Sequence, residues 1–235
     1  MAERRTWAGA TRSAADVRTI LDSVNRRGLE RATTTALAEV VRPAEGAELT
    51  SDASKVLPVD PRLAGLLPWP GLRRGATIAV VGSTSLLMVL LAAGMSQGSW
   101  AAVAGMPTFG ALAAGQDYGV PLDRVAMIPE LGLDWPRAAA ALVDGVDLVV
   151  LAAPPDVTEP VIRSLQARAR QRGTVLIPTS AWPGSDLVIE CTNKVWTGLG
   201  NGHGRLRAQE LTLTATGRGR AARPRTATVV VPPDW

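Results

Sequence analysis

The segment from Gly75 to Gln116 constrains the fold most, because its 42 residues include no charged side chain. Such a run is typical of a membrane hairpin, of a buried α/β core, or of a nucleotide-binding region that has lost its polar residues. Gly82-Ser83-Thr84-Ser85 divides it into a β-branched part, Thr77–Val81, and a leucine-rich part, Leu86–Ala93. This order predicts a strand, a turn and a helix, and argues against a membrane span of about 20 apolar residues.

Composition excludes several classes of protein. Cys191 is the single cysteine and His203 the single histidine, so neither a disulfide framework nor a Cys/His zinc cluster is expected. The charged residues near the amino terminus are followed by no apolar block before Asp16, which argues against a signal peptide. We therefore expect a cytoplasmic protein with no contact to a membrane.

The middle of the chain alternates short apolar runs with helical patterns, which is typical of an α/β fold. A run such as Leu148–Leu151 is apolar throughout, as a parallel strand covered on both faces requires. The pattern predicts strands near 77–81, 100–103, 124–128, 147–151 and 174–177, and helices near 85–96, 108–118, 135–143 and 157–172. We expect a mostly parallel sheet flanked by helices, with right-handed crossovers.

The amino-terminal part predicts a separate helical arm. Ser13-Ala14-Ala15-Asp16 fits a helix start, after which four apolar residues share one helical face: Val17, Ile20, Leu21 and Val24. We divide the chain into an arm over 1–42, a polar linker over 43–55 and a core over 56–235. The apolar face of the arm either packs on the protein itself or docks on another protein, and the sequence leaves both readings open.

After residue 178 the pattern changes to antiparallel hairpins. Strands are predicted over Leu187–Glu190, Leu206–Thr214 and Thr226–Val231, in an extension spanning about 186–231. Four arginines are expected to cluster at the tip of the last hairpin: Arg218, Arg220, Arg223 and Arg225. They form either a solvated loop or a contact with a phosphate backbone or an acidic partner.

The strand–turn–helix at 77–93 is the setting of a phosphate-binding loop, whose pattern is Gly-x-x-x-x-Gly-Lys-Ser/Thr. Counted from Gly82, the second glycine falls on Leu87, the lysine on Met88 and the hydroxyl residue on Val89. No lysine lies between Lys55 and Lys194, so a gapped alignment does not restore one. A degenerate loop without a bound cofactor or metal, and no ATPase activity, are therefore expected.

Several segments of the core resemble RecA-type recombinases over about residues 56–180. These are Gly71–Gly82, the turn Gly119-Val120-Pro121-Leu122-Asp123, and the strand Val146–Leu151. The resemblance implies a magnesium-associated aspartate after that strand, where this chain has Ala152. It also implies a catalytic glutamate at the position that Pro107 occupies. A RecA-like fold that has lost these carboxylates is expected.

The whole chain looks most like the ImuA-prime proteins of high-GC bacteria, a degenerate RecA-like family related to SulA-type division inhibitors. Its Trp-Pro-Gly-x-Leu-Arg-Arg-Gly, Val-Gly-Ser-Thr-Ser-Leu-Leu and Gly-His-Gly-Arg-Leu-Arg segments carry this likeness. The resemblance implies an accessory, non-catalytic role in damage-induced error-prone DNA synthesis, with nucleoid association during damage. The implied partners are an ImuB-type relative of Y-family polymerases and an error-prone C-family polymerase or RecA.

Alternative functions remain open beside this expectation. A regulator that binds RecA or a division protein fits the same resemblance. A weak DNA-binding module fits the isoelectric point of about 10.1, although the net charge is only +4. An enzyme of another class finds little support, because the chain has no Gly-x-Ser-x-Gly elbow and no Gly-x-Gly-x-x-Gly loop that opens a helix.

Overall fold

The computed structural model describes residues 55–200 and 203–232, with the side chains of 199–200, 203–207 and 220 excepted. The residues predicted to form the apolar face of the arm, Val17, Ile20, Leu21 and Val24, lie outside the described residues. The predicted linker lies outside them too, apart from Lys55.

Strands and helices alternate through the core as the sequence pattern predicts. The strands are β1 (Val56–Leu57), β2 (Leu72–Arg73), β3 (Ile78–Val81), β4 (Ala101–Ala104), β5 (Val125–Ile128), β6 (Leu148–Leu151), β7 (Val175–Pro178), β8 (Leu187–Gly200), β9 (His203–Gly217) and β10 (Arg225–Val231). The helices are α1 (Thr84–Met95), α2 (Ala111–Gln116), α3 (Trp135–Gly145) and α4 (Glu159–Arg172). Short 3-10 helices cover Pro61–Leu66, Leu122–Arg124 and Gly219–Ala221.

Two four-stranded sheets lie side by side, in the orders β5-β4-β6-β7 and β3-β8-β9-β10. The first is parallel throughout, and β3 also pairs in parallel with β8. A parallel bridge between Thr77 and Leu176 joins the sheets, and the N–H of Leu176 donates to the carbonyl of Ala76 at 3.0 Å. The last two hairpins are antiparallel. The expected α/β fold, a RecA-like parallel sheet with antiparallel strands at its end, is confirmed.

Alternate residues of the central strands enter two different layers, because successive side chains of a strand point to opposite faces. Ile78, Val80, Leu148 and Val150 belong to the same buried cluster as the leucines of α1. The intervening residues are also buried but lie outside that cluster, and α3 and α4 pack against each other with buried residues of their own. The sheet thus has helices on both faces, as its apolar strands require.

Carboxylates fix the amino ends of the central strands. Asp186 accepts a hydrogen bond from the N–H of Thr77 at 2.9 Å and pairs with Arg73. Asp147 accepts from the N–H of Trp100 at 2.9 Å and pairs with Arg74 at 2.7 Å. These contacts hold the start of β3 and β4 against strands that follow much later in the chain.

The structure differs from the predicted elements at the edges. β8 runs to Gly200, ten residues beyond the predicted Glu190, and β9 begins at His203. The small β1–β2 pair was not predicted, because two-residue strands leave no periodic signal. Within the described ranges no helix is both long and apolar enough to cross a membrane.

Candidate functional site

The connection between β3 and α1 is the centre of the candidate site, because the resemblance places the phosphate-binding loop here. β3 ends at Val81 and α1 begins at Thr84, so only Gly82 and Ser83 lie between them. Gly82 has φ +85° and turns the chain into the helix. In a phosphate-binding loop, four residues separate the first glycine from the second, and the helix opens only near that second glycine. This chain therefore differs from a phosphate-binding loop in two ways. The side chains of the pattern are replaced, and the backbone loop that would surround the phosphates is not formed between β3 and α1.

Ser83 caps the helix that begins there. The N–H of Leu86 donates to Ser83 Oγ at 3.2 Å, and the Ser83 side chain is buried. Leu87, Met88 and Val89 lie inside α1 and are all buried in the core cluster. The positions counted from Gly82 therefore fall within the helix, where they serve packing. Burial of such side chains stabilises the fold by about 1.5–3 kcal/mol each.

Neighbouring polar groups also have partners within the protein. Ser85, in the first turn of α1, donates its hydroxyl to Gln209 Oε1 at 3.2 Å, and Gln209 is buried on β9. Burial raises the pKa of the Tyr118 phenol, an effect opposed by its hydrogen bond with Ser85. The polar side chains beside the helix start thus contact one another and stabilise the packing of α1 on the sheet.

A cleft of about 370 Å³ lies at the carboxyl ends of β4, β5 and β6. Crevices at this edge are the usual ligand sites of open α/β sheets where neighbouring connections diverge. The cleft brings together the two positions where the resemblance implies lost carboxylates, Pro107 and Ala152. Its other lining residues are Gly105, Pro129, Glu130, Leu131, Gly132, Trp135, Ala153 and Pro154.

Chemically, this cleft offers little beyond one carboxylate, that of Glu130. Gly105 has φ +74°, and a Cβ atom there would lie 2.3 Å from the carbonyl oxygen of Ala152. The close approach of these two loops fixes the floor of the cleft. No group of three His, Cys, Asp or Glu side chains able to hold a metal occurs in the described part of the chain. Glu130 and Trp135 were not singled out from the sequence, although loops that follow neighbouring parallel strands must meet at one edge.

A second cleft, of about 600 Å³, lies between α1 and two loops at residues 58–61 and 118–121. Its carboxylate, Asp60, forms an ion pair with Arg62 at 2.7 Å and accepts a hydrogen bond from the Arg62 N–H. The hydrogen bond from the Arg62 side chain lowers the pKa of Asp60, and burial opposes that shift. This pair caps the 3-10 helix Pro61–Leu66, which gives Asp60 a structural role.

The four arginines of the last hairpin have different environments. Arg218 is exposed after β9, and Arg223 is exposed before β10. Arg225 begins β10 and donates a hydrogen bond to the carbonyl of Leu67, so it tethers the strand to the segment before β2. The side chain of Arg220 lies outside the described residues. Arg218 and Arg223 are therefore the exposed arginines among the described side chains of this hairpin.

The strand order and the helices on both faces give this protein a RecA-like α/β fold. The flagellar accessory protein FlaH of Methanocaldococcus jannaschii has a similar fold, with a TM-score of 0.50 and 10% identity, over 74% of this chain and 93% of that chain. The chain belongs to the family defined by the MT3502 N-terminal domain, whose model matches residues 65–184.

A relative in Mycobacterium tuberculosis, the uncharacterized protein Rv3395c, is 42% identical over 111 residues. The match covers 46% of this chain and 54% of that protein, so the chain spans about half the length of the curated relative. The matched family domain includes the β3–α1 turn and the loops that line the first cleft.

Proposed function

We propose that this protein is a non-catalytic RecA-like accessory protein of damage-induced, error-prone DNA synthesis, which binds a relative of the Y-family polymerases. The observation that carries the non-catalytic part is the two-residue turn between Val81 and Thr84. Phosphoryl transfer depends on a loop that cradles the phosphates and on groups that hold the metal ion. Here the loop is replaced by a capped turn.

The carboxyl edge of the sheet supports the same proposal. Pro107 and Ala152 stand at the two positions where the resemblance implies carboxylates, and both line one cleft. Neither side chain binds a metal ion or activates water. Glu130, the carboxylate that does line the cleft, is exposed and lies on the loop after β5. Since the protein is not expected to transfer phosphoryl groups, we infer that its fold serves to bind other macromolecules.

The proposed partners follow from the resemblance to the ImuA-prime family. They are an ImuB-type polymerase relative and, through it, the error-prone C-family polymerase or RecA. The residues proposed to contact the partner are the apolar face of the arm at Val17, Ile20, Leu21 and Val24, and the exposed arginines of the last hairpin. An apolar helical face with a basic patch fits a partner that offers an apolar groove with acidic residues.

Co-expression with the products of neighbouring genes, followed by size-exclusion chromatography, tests the proposal. We expect the polymerase relative to elute with this chain, and Ile20→Asp or Arg218→Glu with Arg220→Glu to weaken that complex. Arg163→Glu is the matched control, because Arg163 is an exposed arginine on α4 and belongs to neither proposed contact. Failure of the wild-type chain to bind the polymerase relative would contradict the proposed function. Normal binding by both variants would contradict the site.

A further inference from the structure

The connections that lead into the parallel strands meet at one edge of the joined sheets, which we call the amino edge. Because β9 ends and β10 begins beside the start of β8, the last hairpin reaches the same edge. The bridge between Thr77 and Leu176 joins the two sheets, so the strand ends follow one another in the order β5-β4-β6-β7-β3-β8-β9-β10. With neighbouring strands about 4.8 Å apart, the amino edge extends about 34 Å.

Basic residues outnumber acidic ones at the amino edge. The described side chains of its connections, and of the helix ends that precede them, include eight arginines and five aspartates: Arg73, Arg74, Arg124, Arg168, Arg170, Arg172, Arg218 and Arg223, with Asp117, Asp123, Asp144, Asp147 and Asp186. The opposite edge has the reverse charge, because residues 129–136 and 152–161, which follow β5 and β6, contain four carboxylates and no basic residue. A polyanion is therefore attracted to the amino edge.

The aspartates in the middle of the amino edge are paired within the protein. Asp147 and Asp186 each pair with one arginine of the segment before β3. Asp144 pairs with two arginines of α4, Arg168 at 2.7 Å and Arg172 at 3.1 Å. These carboxylates therefore hold arginines along the edge and leave a surplus of positive charge at the end of α4.

Two further arginines add to that surplus. Arg170 and Arg218 are exposed, and within the described ranges neither has a carboxylate within 4.0 Å. A Cβ atom at Gly75 would lie 3.1 Å from the Cα atom of Arg170, so α4 contacts the segment before β3 at this residue. A Cβ atom at Gly184 would lie 3.6 Å from Arg218 Nη2, which places that guanidinium beside the segment before β8. Both arginines therefore belong to the amino edge.

An exposed aromatic ring lies in the same row. Trp100 directly precedes β4, and 40% of it is exposed. Its backbone N–H donates to Asp147 Oδ2 at 2.9 Å, and the other oxygen of that carboxylate accepts a hydrogen bond from Arg74 at 2.7 Å. One carboxylate thus fixes the backbone of Trp100 and the guanidinium of Arg74 as neighbours.

We propose that the amino edge binds single-stranded nucleic acid, with Trp100 stacked on a base and the arginines of α4 and of the last hairpin near the phosphates. Aromatic rings beside basic side chains bind single strands without reading their sequence, and arginine matches the geometry of phosphate. An acidic protein would need an apolar centre to its interface, but Trp100 and Leu122 are the exposed large apolar side chains described at this edge. This inference goes beyond the proposed function and does not require the polymerase relative.

Fluorescence anisotropy of labelled 20-nucleotide oligo-dT and oligo-rU with the full-length chain at 50 mM salt tests the site. We expect Trp100→Ala to weaken binding about tenfold, and Trp100→Phe to retain most of it, because the smaller ring still stacks. Trp196→Ala is the matched control, since Trp196 is 53% exposed but lies beyond Glu190, where β8 no longer pairs with β3. Binding of either probe with these losses supports the proposal, and the tighter probe identifies DNA or RNA as the strand.

Two pairs of changes that alter the net charge equally test the arginines. Arg170→Gln with Arg172→Gln should lower the slope of log K against log salt by about 1.4. Arg137→Gln with Arg163→Gln is the matched control, because both arginines are exposed and lie near the starts of α3 and α4, toward the opposite edge. We expect this control to leave the slope unchanged.

Equal binding by Trp100→Ala and Trp196→Ala would overturn the proposal, as would equal slopes for the two arginine pairs or no binding by the wild-type chain. A duplex that competes as strongly as oligo-dT would also contradict it. If Arg218→Gln with Arg223→Gln loses the strand while Trp100→Ala and the α4 pair keep it, the last hairpin alone is the site. If Trp100→Ala loses the polymerase relative but keeps the strand, the amino edge is a protein-binding surface. Circular dichroism of each variant establishes that it is folded.

Discussion

The backbone N–H of Leu86 donates a hydrogen bond to Ser83 Oγ, with 3.2 Å between the two atoms. In a phosphate-binding loop the N–H groups at this end of the helix would face a bound anion. Here a side chain two residues beyond the strand satisfies one of them. The helix start needs no bound ligand, because the Ser83 side chain caps its first turn and the next turn is packed in the core.

Replacement of the cap should cost stability in the absence of any nucleotide. Ser83→Ala removes the acceptor of the Leu86 N–H, and we expect a loss of about 1 kcal/mol in the free energy of unfolding. Urea unfolding followed by circular dichroism measures it. Ser96→Ala is the control, because Ser96 is exposed and donates only to the carbonyl of Ala93 at the other end of α1. Equal stability of Ser83→Ala and wild type would show that the cap is not needed.

A side chain at Gly105, on the floor of the first cleft, should lower the stability of the fold. Gly105→Ala adds a Cβ atom 2.3 Å from the Ala152 carbonyl oxygen, at a φ of +74°. Gly132→Ala is the matched control, since Gly132 has a φ of +71° and its Cβ would meet nothing within 4 Å. We expect the control to lose about 1 kcal/mol through backbone strain, and Gly105→Ala to lose about 1–3 kcal/mol more. Similar melting temperatures for the two variants would contradict this close approach.

Stability should depend on Asp60 at low pH. The hydrogen bond from the Arg62 side chain lowers the pKa of this carboxyl in the folded protein from its ordinary value of 3.8. The ionised form therefore stabilises the fold above that value, and the contribution is lost as the pH falls through the lowered pKa.

Asp60→Asn removes this titration. We expect the difference in unfolding free energy between wild type and variant to be constant above pH 5 and to shrink below about pH 4. Denaturation with urea at a series of pH values measures that difference. A difference that stays constant down to pH 2.5 would show that the pair contributes no pH dependence.

Asp186 should stabilise the fold more than its partly exposed position indicates. Asp186→Ala leaves the N–H of Thr77 without its acceptor at the start of β3, and removes the pairing with Arg73. We expect a loss of about 1–3 kcal/mol in the free energy of unfolding. Asp123→Ala is the control, because Asp123 is mostly exposed and lies 3.8 Å from Arg124. An equal effect of both changes would assign Asp186 the weak role of a surface charge.

Much of this fold follows from periodicity alone. The central strands are continuously apolar, so β3 to β7 begin and end within one or two residues of the predicted positions. The helices α1, α3 and α4 were also predicted, although α2 is shorter than expected, from Ala111 to Gln116. The prediction of β8 stopped at Glu190, because Thr192-Asn193-Lys194 interrupts the alternation and a register shift occurs between Cys191 and Asn193.

The candidate site was only partly readable from the sequence. The missing lysine is a fact of composition, but counting from Gly82 could not reveal that the helix begins at Thr84. The resemblance marked Pro107 and Ala152 as positions of lost carboxylates, and the structure places both in one cleft. Glu130 and Trp135 carried no local signal, since their role depends on three strand ends meeting in space. The exposure of Trp196 was not predicted either, because it depends on where β3 and β10 end their pairing with β8 and β9.

The central claim, that the nucleotide site has been replaced by a capped helix start, is tested most directly by ATP binding. Isothermal titration of the full-length chain with ATP and magnesium, combined with a phosphate-release assay, measures both binding and turnover. We predict no saturable heat of binding and no phosphate release above background, with or without the polymerase relative. Saturable binding of ATP by the wild-type chain would contradict the claim, and turnover would make this protein a nucleotide hydrolase.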